Sequence, residues 1–289
     1  VIERKIRTQF PRTDSLPTQS PRYWAKEKDR YIRQLLISDI EAETGRELAV
    51  YFSRLDQAIT ETDADDFCEV LNGLASTDID IMLHTPGGLV DAVEKFISVL
   101  RHLNLRYRVI VPSFAKSGGT LIALTAHEIL MGVNSELGPV DAQMRLKEYG
   151  SVPAEFIVGD DTQPPIVQNI AKMNVERAKR LAEKHLRITL AGRNPDPADA
   201  NALDDTAGFT QAMAKLASPD GYGSHGAVID FQEARGLGLP VTWMEPSSTL
   251  WNKVWLLHNI YDADTKLHDI GKIFEAALYS VAREPLIWD

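Results

Sequence analysis

One cysteine, Cys68, is the only thiol in this 289-residue sequence, so no internal disulfide can form. It sits in "DDFCEVLNGL", which reads as a helix with the thiol buried. Positive charge is in deficit: 31 Lys and Arg stand against 41 Asp and Glu, a net charge of −10. Such a surface repels nucleic-acid phosphates and anionic membranes, so neither is an expected partner. Long apolar runs are missing, and nothing approaches the roughly 20 residues of a membrane span. Residues 1–24 lack the apolar core of a signal peptide, and the expectation is a soluble, cytoplasmic protein. Nucleotide fingerprints are missing too: "TPGGLVD" and "AKSGGT" match neither G-x-G-x-x-G nor the P-loop pattern. There is no H-x-x-x-H pair, no C-x-x-C and no EF-hand loop, so neither metal nor cofactor is expected.

What is present is ordinary globular composition, 44% apolar and 25% charged, in a chain long enough to bury a large core. Residues 1–22 are rich in Pro, Ser, Thr and Arg and read as an extended arm. From residue 23 a helix is followed by alternating apolar strands and amphipathic helices. "ELAVYFSRL", "DIDIMLHTP", "RYRVIVPSF" and "EILMG" read as strands; "DADDFCEVLNGL", "GGLVDAVEKFISVLRHL" and "SGGTLIALTAH" read as helices. That order argues for a mostly parallel α/β sheet covered by helices. "IVQNIAKMNVERAKRLAEKHLRITLAG" reads as one long projecting helix suited to self-association. "PDGYGSHG" is a glycine-rich loop, and residues 247–289 read as a tail of two amphipathic helices. The expected organisation is arm 1–22, a core domain 23–246 and the helical tail.

Right-handed crossovers put the strand-to-helix turns "HTPGG" and "AKSGG" side by side at the carboxyl edge of the sheet, where α/β proteins place their sites. A serine at such a junction, Ser117, is either a helix cap or a nucleophile presented on a tight turn. Gly87, Gly88 and Gly118 offer backbone N–H groups of the kind that stabilise a developing oxyanion. A serine nucleophile needs a base. Among seven histidines, His225 in the glycine loop and His84 before "TPGG" stand out. His102 and His185 read as helix-surface residues. Lys116 adjoins the serine.

Four segments in order, "DIDIMLHTPGG", "VIVPSFAKSGGTLIALTAHEILMG", "NSELGPVDAQ" and "SHGAVIDFQEARGLGLPV", resemble the serine dehydrogenase proteinase family. That family lies in the Clp protease and crotonase superfamily and is similar to the signal peptide peptidase A enzymes. The resemblance spans about residues 25–245. It implies a Clp/crotonase-like spiral of ββα units, a serine peptidase acting on peptides or unfolded protein, and a homo-oligomer. It also implies Ser117 as nucleophile, the Gly88 and Gly118 amides as oxyanion hole, and Gly87 shaping the turn.

The base is left open by the resemblance. Clp proteases use Ser-His-Asp, and the signal peptide peptidases use Ser-Lys. Where the Clp histidine falls, this chain has Val140 and Asp141; where the Clp aspartate falls, it has His225 and Gly226. A permuted His225–Asp141 pair is one expectation. Lys172 on the long helix, which would need burial to be neutral, is the Ser-Lys option, with Lys116 behind it. His84 is a candidate for holding the "TPGG" loop. Two other functions remain: a silent scaffold of the same fold, and a crotonase-type acyl-CoA hydratase or thioesterase. The "AKSGGT" serine and the lack of crotonase glutamates weigh against the latter.

Overall fold

The computed structural model describes residues 20–147, 150–190, 212, 215–217 and 224–286. The expected arm therefore lies outside the described residues except at its end, where Ser20 caps the first helix, α1 (Pro21–Lys26). After it run α2 (Lys28–Thr44), β1 (Glu47–Ser53), α3 (Asp63–Asn72), β2 (Asp78–His84), α4 (Val90–His102) and β3 (Arg106–Val111). Then come β4 (Phe114–Ala115), α5 (Gly118–Ala123), β5 (Ile129–Met131), β6 (Glu136–Leu137) and a hairpin of β7 (Gln143–Leu146) with β8 (Gly150–Pro153). The chain continues through α6 (Ala154–Ile157), the long α7 (Pro165–Leu190), α8 (Phe231–Gly236), β9 (Val241–Trp243), α9 (Thr249–Leu267), β10 (Lys272–Glu275) and β11 (Ser280–Arg283).

The main sheet has the order β11-β10-β1-β2-β3-β5-β9. Its run from β1 to β9 is parallel, and β10 and β11 add an antiparallel edge. Both faces are covered, which is why the strands read as continuous apolar runs rather than alternating ones. Alternate residues sort by face. Ala49, Tyr51, Ile81, Leu83, Val109 and Val111 pack with α3, α4 and α5. Leu48, Val50, Phe52, Met82 and Ile110 pack with Ile37 and Ile40 of α2 and with Trp251, Val254 and Tyr261 of α9.

The tail departs from the sequence expectation. Its first part is the single helix α9, but the second is a β-hairpin that extends the sheet through β1. All four residues of β10 are buried. Lys272 pairs with Asp63 at 2.7 Å, and Glu275 accepts from Arg33 at 2.8 Å and from Tyr261 Oη at 2.6 Å. Because its two charges are buried with partners, this strand carries no apolar signature of its own, and "KIFE" passes for an amphipathic helix. The described tail residues thus pack into the main sheet and the core beneath it.

The first part of α7 rests on α6 and the β7–β8 hairpin through Ala171, with Ile166, Ile170 and Met173 exposed. Its later turns join the main core through Leu181 and Ala182. His185 is buried there rather than on the helix surface. Cys68 is half-buried rather than fully enclosed. Of the helix expected over "FTQAMAKLAS", Ala212 and residues 215–217 are described: Ala212, Lys215 and Leu216 are helical, and Ala212, Leu216 and Ala217 join the main core. Most of "PDGYGSHG" lies outside the described residues. Among the described residues no helix is long and apolar enough to cross a membrane.

Candidate active site

The parallel register brings the two glycine turns together as expected. Thr85 and Ala115 form a parallel bridge, with Lys116 N–H donating to Thr85 O at 3.0 Å and Thr85 N–H to Phe114 O at 3.1 Å. Gly87 has φ +92°, and a Cβ there would meet Lys116 O at 2.6 Å and Gly118 N at 2.8 Å. The turn thus needs glycine both for its left-handed backbone and for the approach of the Ser117 turn. Ile59 N–H donates to Gly87 O at 2.8 Å and Leu89 N–H to Ile59 O at 3.1 Å, which bracket Gly88 and leave its own N–H out of the pairing.

Ser117 sits at φ 52°, ψ −116°, one of three non-glycine residues with positive φ among those described. That strain is typical of a serine on a sharp strand-to-helix turn. Although Ser117 occupies the cap of α5, its side chain makes no capping bond, so the cap reading fails. Among the described residues the amides of Gly88 and Gly118 donate to nothing. A Cβ placed on Gly118 would lie 3.4 Å from Gly88 N, so these two free donors are neighbours.

His225 lines the same cleft as Gly88 and Gly118. Its Nδ1 is 2.7 Å from Asp141 Oδ1. Asp141 is buried and also accepts from Gln143 Nε2 at 2.6 Å. The pair is built by strand register. Leu137 in β6 and Ile229 exchange backbone hydrogen bonds at 2.9 and 3.0 Å in an antiparallel bridge. Asp141 lies four residues past Leu137 and His225 four before Ile229, so this antiparallel bridge brings their two segments alongside each other. Ser117, Gly87, Gly88, Gly118, Asp141 and His225 all line one cleft of about 620 Å³.

The remaining candidates fall elsewhere. Lys172 is exposed on α7 and does not line the cleft, so it lacks the burial a lysine base requires. Lys116 points away from the cleft: its Nζ donates to Gly226 O at 3.0 Å and pairs with Glu136 at 3.1 Å. His84 is buried and stacked on Phe52 at 4.3 Å between centroids, with Nδ1 3.0 Å from Ser53 O. Burial, followed by repulsion from His258, lowers its pKa to about 3. It is a neutral core residue beneath the "TPGG" turn, which suits support and not proton transfer. One wall of the cleft was missed in the sequence: Asn174, Arg177, Ala178 and Leu181 of α7. Their i, i+3, i+4, i+7 spacing marks them as one helix face, which is the signal that would have found them. Arg177 pairs with Asp91 and Glu94 and so clamps α7 to α4. Asp29, Asp264 and His268 are the one group among the described residues close enough to share a metal ion. None of them lines the cleft, and Asp264 is paired with Arg33 at 2.5 Å.

Residues 59–184 match the family model of the ClpP-like SDH-type serine proteinases. The match includes Ser117, the three glycines and Asp141, and ends before His225. The chain is 34% identical over 194 residues to the uncharacterized protein MJ0137 of Methanocaldococcus jannaschii, covering 63% of this chain and 58% of that one. It is 41% identical over 98 residues to the uncharacterized protein MJ1495 of the same organism, 32% of each chain. It thus spans less than two thirds of either relative. ClpP1 from Listeria monocytogenes aligns over 76% of this chain and 99% of its own, with 15% identity and a TM-score of 0.42.

Proposed function

We propose that this chain, whose residues 59–184 match the family model of the ClpP-like SDH-type serine proteinases, hydrolyses peptide bonds with a permuted Ser117–His225–Asp141 triad. The observation that carries the reading is the 2.7 Å contact of His225 Nδ1 with buried Asp141, in the same cleft as a strained, uncapped Ser117. With Nδ1–H donated to Asp141, the lone pair on Nε2 is left for the serine hydroxyl. Ser117 Oγ makes no capping bond to α5, and its hydrogen bond to Nε2 is one that forms in the substrate complex.

Ser117 Oγ attacks the scissile carbonyl carbon while its proton passes to Nε2. The carbonyl π electrons move to oxygen, and that oxyanion accepts from the Gly88 and Gly118 amides. Collapse breaks the C–N bond, and the leaving amine takes the proton from His225. Water then attacks the acyl-enzyme, giving its proton to His225, which returns it to Ser117 as the acid departs. The cleft walls of Leu121, Val140, Ala178 and Leu181 suit an apolar side chain beside the scissile bond. A homo-oligomer is part of the reading, since Phe156, Ile166, Ile170 and Met173 leave apolar surface open near α7.

A fluorophosphonate probe tests it. Ser117 should be labelled in the folded protein, Ser117→Ala should not, and His225→Gln should label at least about a hundredfold more slowly. Lys172→Met should label like the parent. No labelling of folded parent protein overturns the peptidase reading in favour of a silent scaffold.

A further inference from the structure

Lys116 is bonded through the chain to Ser117, yet its side chain reaches the histidine loop. Nζ donates to Gly226 O, the carbonyl next to His225, at 3.0 Å, and pairs with Glu136 of β6 at 3.1 Å. The pair is shielded, with 18% and 23% of the two side chains exposed. The aliphatic stem lies over Gly138, where a Cβ would stand 3.1 Å from both Lys116 Cβ and Cγ. The backbone of Lys116 is fixed at both ends: its N–H donates to Thr85 O at 3.0 Å, and its carbonyl accepts from Gly119 N–H at 2.7 Å. By contrast, among the described residues the backbone N–H groups of 224–227 bond only locally, from Gly226 N–H to Ser224 Oγ and from Ala227 N–H to Ser224 O. An ammonium engaged by a carbonyl and a carboxylate is a donor with no lone pair for a proton, so this lysine is not arranged as a base.

We propose that Lys116 is a positioning residue: its bond to Gly226 O, backed by Glu136, ties the His225 loop to the Ser117 turn and sets the spacing of base and nucleophile. The proposal rests on the reading of Ser117 and His225 given above. A charge-assisted bond is directional enough for this purpose. Misplacing a catalytic group by an ångström costs about a hundredfold in rate.

The test compares Lys116→Met, Lys116→Arg, His225→Gln and the double variant Lys116→Met/His225→Gln in the full chain. Hydrogen exchange over residues 224–229 should speed up about tenfold or more in Lys116→Met and stay near the parent rate in Lys116→Arg. On an activated ester and an unfolded protein substrate, Lys116→Met should lower kcat about ten- to a hundredfold with KM within about threefold. Lys116→Arg should recover most of it. The double variant should be no slower than His225→Gln, because a tether for the base is worthless without the base. Unchanged exchange in Lys116→Met overturns the tether. A double variant much slower than His225→Gln also overturns it and makes Lys116 a chemical participant. Full activity in His225→Gln removes the triad reading itself, and the exchange measurement still decides whether Lys116 holds the loop.

Discussion

Acid should weaken this fold before its carboxylates are neutralised, and three buried histidines set the size of the effect. His84 is lowered to about 3, by burial first and the His258 charge second. His258 and His185 are each lowered to about 4, again by burial first. In the unfolded chain a histidine binds its proton near pH 6.5, roughly. Between that pH and the folded values the unfolded state holds more protons, so stability from this source is complete above about pH 6.5 and falls as the pH drops. At about pH 5.5 each histidine removes about 1.4 kcal/mol relative to neutral pH, and the three together about 4 kcal/mol. Against the roughly 5–15 kcal/mol of an ordinary domain, that is a large share. Urea unfolding followed by tryptophan fluorescence at about pH 7.5 and 5.5 measures it. His185→Leu is the cleanest perturbation, because Nδ1 of that buried ring has no partner among the described residues. It should reduce the difference between the two pH values by about a third. Equal stability at the two pH values, or an undiminished difference in His185→Leu, refutes the argument.

Other outcomes follow from the site and the sheet edge. Asp141→Asn lets an amide N–H face His225 Nδ1 and moves the ring proton to Nε2, so kcat should fall by about two to four orders of magnitude with little change in melting temperature; a loss under about tenfold would remove Asp141 from the triad. Gly87→Ala puts a Cβ 2.6 Å from Lys116 O at φ +92°; it should cost on the order of 1–3 kcal/mol in urea unfolding and slow probe labelling of Ser117, and parent-like values in both would show that the turns do not meet this closely. Lys272→Met leaves Asp63 buried without its ammonium and should cost about 3–5 kcal/mol, read as a lower urea midpoint; a loss under about 1 kcal/mol would mean the hairpin is not anchored there.

The parallel sheet and the placing of the glycine turns could be read from the chain because their causes are local. Apolar strand runs bounded by Thr-Pro-Gly-Gly and Lys-Ser-Gly-Gly alternate with helices of 3.6 period, and right-handed crossovers leave one edge for both turns. The hairpin of β10 and β11 could not be read this way. Lys272 and Glu275 are tolerated in a buried strand only because Asp63, Arg33 and Tyr261 come from 14 to 242 residues away in sequence. Local pattern carries no trace of such partners.

The site divides along the same line. Ser117 and the Gly118 amide beside it follow from the sequence, since a strand, a tight turn and a helix in immediate succession hold them by covalent reach. Gly87 and Gly88, about 30 residues earlier, join them through the parallel pairing of the two strand ends that right-handed crossovers imply. The base proposed for that serine was a matter of tertiary structure. His225 and Asp141 stand 84 residues apart and meet because the Leu137–Ile229 bridge sets an antiparallel register across that gap. The same packing left Lys172 in solvent, turned Lys116 away from the cleft and enclosed His84 as a neutral ring. Chain neighbours are held by bonds that a sequence spells out, whereas groups on segments far apart in the chain meet only where tertiary pairing brings them, and no residue states that pairing alone.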